Sequence, residues 1–70
     1  MWLTRKRRRA IAARIGFLNY HMIEQRHDVG TFLEITEILV DLCIDLGISW
    51  DLVQDATKKY REIKENGDGT

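Results

Sequence analysis

The chain has no proline, one cysteine, one serine and five glycines among its 70 residues. So few helix breakers leave room for three or four helices, and the length does not allow a second core, so one all-α domain is expected. The single cysteine excludes a disulfide framework and a cysteine-rich zinc site, which leaves helix packing or self-association as the source of stability. A dimer or higher oligomer is therefore expected. Cys43 sits between Leu42 and Ile44 and reads as a buried structural thiol suited to a reducing, cytoplasmic setting. No uncharged stretch approaches the roughly eighteen residues of a membrane span, and no apolar segment follows the first basic residues as in a secretory signal. Neither export nor a membrane partner is expected.

What the sequence does contain is helical periodicity. Ile11, Ile15, Leu18 and Met22 recur at helical spacing and, with Ala10, Ala12 and Ala13, predict a helix near 5–26. Arg26-His27-Asp28-Val29-Gly30 interrupts the pattern, and Thr31 followed by Glu34 has the form of a capping box. A second helix is expected near 32–46, with Phe32, Ile35, Leu39, Leu42 and Leu46 as its stripe, widened by Ile38 and Cys43, and Gly47 as its left-handed stop. Ser49 caps a third helix near 50–64 that buries Val53, Ala56, Tyr60 and Ile63. The domain is thus read as 1–64, with a basic segment at 4–14 and a flexible tail at 65–70.

Charge is divided unevenly. Arg5, Lys6, Arg7, Arg8, Arg9 and Arg14 give residues 1–14 a charge of +6 with no acid, and the formal total of zero leaves −6 for the remainder. Cations in the first turns of a helix oppose its macrodipole, so local helix energetics do not explain them. Guanidinium groups fit phosphate, which makes a nucleic-acid backbone the natural external partner, and Trp2 could stack on a base. The alternative is a solvated face that pairs with acids of this chain or of a neighbouring subunit. A row of carboxylates, Glu34, Glu37, Asp41 and Asp45, shares one face of the second helix. Glu34, Glu37 and Asp41 are its weak candidates for oxygen ligation of magnesium, and a solvated or docking face is the plainer reading.

Ile11-Ala12-Ala13-Arg14-Ile15-Gly16-Phe17 followed by Met22 resembles the centre of a Cro/repressor-type helix-turn-helix. The resemblance implies a turn at Gly16 and a recognition helix from about Asn19, so that Asn19, Tyr20 and Arg26 would approach bases. The other possibility is a continuous helix with Gly16 inside it, at a cost of about 1 kcal/mol relative to alanine. Glu34 to Lys59, through Leu46-Gly47-Ile48, is similar to the last two helices of MazG-type nucleoside-triphosphate pyrophosphohydrolases. That resemblance implies a magnesium-binding acid near Glu34, but Thr31 occupies the position of its companion acid.

His21 and His27 are not at shared-face metal spacing, and Ser49 is occupied as a cap, so neither a metal centre nor a nucleophilic triad can be assembled. No enzyme activity and no cofactor are expected. Three functional readings follow in order. The first is a nucleic-acid-binding module using Arg5, Lys6, Arg7, Arg8, Arg9 and Arg14 with Asn19 and Tyr20. The second is a non-catalytic adaptor or inhibitor docking on a protein surface. The third is a degenerate pyrophosphohydrolase.

Overall fold

Side-chain caps set the starts of all three helices in the computed structural model, which describes residues 3–68. The order is α1 (Arg5–Glu24), α2 (Val29–Leu46) and α3 (Trp50–Asp68), with no strand among the described residues. Thr4 is extended, and its hydroxyl accepts from the Arg7 amide at 3.1 Å, satisfying one of the amides a helix start leaves open. The helix continues unbroken through Gly16 and stops at Glu24, short of Arg26, where Gln25 turns extended.

The second helix begins three residues earlier than the Thr31–Glu34 pattern predicts. Asp28 is the N-cap: its carboxylate accepts from the Thr31 amide at 3.3 Å and from the Thr31 hydroxyl at 2.6 Å. A carboxylate caps more strongly than a threonine hydroxyl and also favours the positive end of the helix, so Val29 and Gly30 are drawn into the first turn. At the other end Gly47 adopts φ 68°, and the Ile48 amide reaches back to the Cys43 carbonyl at 2.8 Å. This is the left-handed stop expected from the sequence. Ser49 accepts from the Asp51 amide at 3.3 Å and opens α3. That helix runs on to Asp68, so 65–68, read as tail, are helical; the last two residues lie outside the described ones.

α1 occupies the middle. It runs parallel to α3, from Gly16 against Ala56 to the 3.8 Å ion pair between Glu24 and Lys64. It runs antiparallel to α2, with the Thr36 hydroxyl 3.8 Å from the Met22 sulfur. The shared core is Ala12, Ile15, Leu39, Cys43, Ile48 and Val53. Burial pushes the Cys43 thiol up, away from the thiolate a nucleophile needs.

The α1–α3 seam is the closest approach. A Cβ built on Gly16 would lie 2.5 Å from the Ala56 Cβ and 3.1 Å from the Val53 carbonyl oxygen. Gly16 is therefore a packing residue inside a helix, and its missing side chain is what lets the two backbones meet.

The three helices form a slab of 42 × 32 × 13 Å, thin in one direction. Its radius of gyration of 13.1 Å exceeds the roughly 11 Å of a compact chain of this length. A single layer buries each helix along its edges only. Leu18, Phe32, Ile38, Leu42 and Ile63, all expected in a core, are consequently exposed.

Candidate nucleic-acid interface

Because α1 and α3 are parallel, their N-termini lie at the same end of the slab, and so do the positive ends of both macrodipoles. The first turns of α1 add the arginine run to that end. Arg5, Lys6, Arg7, Arg9 and Arg14 are exposed, and none forms an ion pair with an acid among the described residues. Arg8 is half-buried and donates to the Leu3 carbonyl oxygen at 3.4 Å. Arg5, Arg8 and Arg9 line one side of an open cleft of about 520 Å³ whose other side is Gly47, Ser49 and Leu52 at the α2–α3 turn. A second groove, between α1 and α3, sets Arg9 beside Lys59 and Asp55.

Arginine forks supply paired N–H donors matched to phosphate oxygens. Here they converge with two helix N-termini, which also present donors and positive potential. The arrangement can hold anions along a surface.

Asn19 and Tyr20 are not part of this end. Asn19 is buried between α1 and α3, where its side-chain amide donates to the Thr57 hydroxyl oxygen at 3.0 Å. The Thr57 hydroxyl in turn donates to the Val53 carbonyl at 2.8 Å, with the Gly16 carbonyl 3.3 Å away. Tyr20 is 5% exposed, and its hydroxyl has no hydrogen-bond partner. Burial, together with the neighbouring Glu24, pushes the phenol above its usual value, while Lys64 sits 5.8 Å from its ring centre. These two residues hold α3 and are unavailable to bases. The sequence carried the signal: Asn19 is four residues after Ile15 and three before Met22, on the buried stripe, and Tyr20 is four after Gly16. Arg26 is exposed in the α1–α2 connection, and Trp2 lies outside the described residues.

Glu34, Glu37, Asp41 and Asp45 occupy the outward face of α2, opposite Leu39 and Cys43, and all four are exposed. Among the described residues no three acidic, histidine or cysteine side chains converge as metal ligands would, and Glu34, Glu37 and Asp41 lie in a row along α2. The basic segment does not fold back onto this row. Among the described residues no helix is long and apolar enough to cross a membrane.

No family model, no curated protein and no solved structure matches this chain. Function must therefore be inferred from its own charge geometry.

Proposed function

We propose that this protein binds nucleic acid through the phosphate backbone, using Arg5, Lys6, Arg7, Arg9 and Arg14. The observation that carries the reading is the gathering of four exposed cations, Arg5, Lys6, Arg7 and Arg9, none ion-paired within the described residues, at the end where the N-termini of α1 and α3 lie together, with Arg14 exposed further along α1. Such a surface follows a backbone of phosphates without reading base edges, because Asn19 and Tyr20 are committed to the α1–α3 seam. Binding is then electrostatic and weakly sequence-dependent.

Titration of labelled duplex and single-stranded DNA and RNA at two salt concentrations tests this. Five neutralised phosphates give a log–log salt slope of about −3 to −5, and the triple substitution Arg5→Gln, Arg7→Gln, Arg9→Gln flattens it by about two to three. Absence of binding by the intact chain at low salt overturns the reading. The acidic outward row of α2 favours a second one, a non-catalytic module that docks on a larger protein. Capture through an apolar contact that survives salt, with no binding to nucleic acid, would mark that outcome.

A further inference from the structure

We infer that the exposed apolar flank of α2 is the interface of an antiparallel, two-fold dimer of this chain. α2 carries apolar residues on both sides of its acidic row, and on one side they form two pairs in line, separated by Thr36 and Glu37. Val29, Leu33, Val40 and Ile44 fall within a sector of about 60° at 100° per residue, running the length of the helix. Val29, Leu33 and Ile44 are 75%, 60% and 68% exposed, and Val40 is half-buried.

The spacing of this line identifies its occupant. Val29 and Ile44 are equidistant from a point between Thr36 and Glu37, and so are Leu33 and Val40. Rotating the helix by half a turn about that point lays the line on itself, with Val29 against the partner's Ile44 and Leu33 against the partner's Val40. An isologous contact requires this self-complementarity, and an unrelated protein would not.

Two quantities agree with a second copy. The chain exposes 5510 Å², whereas a compact monomer of 8.2 kDa exposes about 4,500 Å². The excess of about 1,000 Å² belongs to the chain as a whole and is large enough to include the roughly 800 Å² that each partner contributes to a stable interface. The chain is also one helix layer, while stable domains bury their apolar faces between two. Stacking two slabs through α2 supplies the second layer. It leaves Glu34, Asp41 and Asp45 at the outer edge in water, with Glu37 beside the axis, and sends the two basic α1 ends to opposite ends of the helix pair, independently of what those ends bind.

The test begins with mass by light scattering at tens of micromolar. A value of about twice 8.2 kDa is expected, falling to the monomer for Leu33→Glu/Ile44→Glu and unchanged for Ile38→Glu/Leu42→Glu on the other flank. Because the first variant could unfold, pairing is also read covalently. Under mild oxidation the double variant Leu33→Cys/Val40→Cys links two chains on a denaturing gel, and Leu33→Cys alone does not. A monomeric wild type, dissociation by the Ile38/Leu42 variant alone, or linkage through Leu33→Cys alone overturns the proposal.

Discussion

The seam between α1 and α3 and the surface of α2 invert the usual link between hydrophobicity and burial. α2 is rich in leucine, isoleucine and valine, yet only Leu39 and Cys43 of it are buried. At its closest stretch the seam is lined by Ala12, Gly16, Asn19, Ala56 and Thr57, small or polar residues, with Val53 and the Phe17–Tyr60 and Tyr20–Tyr60 ring pairs packed beside them. Close backbone approach multiplies many weak dispersion contacts and shortens a buried hydrogen-bond chain, so small residues can hold two helices firmly. Large apolar side chains on a one-layer slab have no opposite surface to meet. What α2 lacks is a facing partner, and the difference teaches that apolar content measures the demand for burial while geometry decides whether it is met.

The largest expected effect breaks the closed side. Gly16→Val inserts a branched side chain where a single Cβ would already lie 2.5 Å from Ala56. Overpacking of this kind costs about 3 kcal/mol or more when the backbone must yield, a large share of the stability of a chain this size. Even Gly16→Ala, which gains up to about 1 kcal/mol of helix propensity, is expected to destabilise. Urea unfolding followed by circular dichroism checks both, and a stabilised Gly16→Ala would show the seam to be loose. Next comes Asn19→Ala, which removes the buried donor to Thr57 and is expected to cost about 1–2 kcal/mol in the same measurement.

The contrast also explains how far the sequence could be read. Three helices, the Gly47 stop and the Ser49 cap were legible because each rests on local chemistry within a few residues. Asp28 was missed as a cap because Val29 and Gly30 look like a break, and the strength of a carboxylate N-cap outweighed their propensities. The burial of Ile15, Met22 and Val53 followed from periodicity, and the exposure of Leu18, Ile38 and Ile63 did not. Periodicity fixes which residues share a face, and the number of layers in the fold decides whether that face is covered. For the candidate site the arginine run was visible outright. Its separation from Asn19 and Tyr20 depended on α3 packing alongside α1, a contact between residues some forty apart in sequence.

A smaller effect sharpens the comparison from inside the seam. Tyr20 buries a hydroxyl with no partner, so Tyr20→Phe removes a desolvated group without leaving another one orphaned. Unfolding stability should stay level or rise by up to about 1 kcal/mol. The pH dependence has a defined sign. Because the folded phenol titrates above its usual value, its contribution is fully present below pH ~10 and is lost as pH rises through the folded value. Tyr20→Phe should remove that alkaline component, which stability curves between neutral and alkaline pH would reveal.

The smallest effect belongs to the entry of α2. Thr31, through its hydroxyl and its amide, holds the Asp28 carboxyl below the usual carboxylate range. A depressed folded value means that the stabilisation is present above the unfolded value near pH ~4 and disappears as pH falls through the folded one. Acid should therefore fray the first turn of α2 before it disturbs the α1–α3 seam, whose Asn19–Thr57 latch does not titrate. Amide hydrogen exchange on either side of pH ~4 reads this directly. Faster exchange at Thr31 and Phe32 than at Thr57 is expected on acidification, and Asp28→Asn should make the α2 amides insensitive to that change. If the α2 amides stay protected in acid while those of α3 open first, then the apolar helix is the better-held of the two.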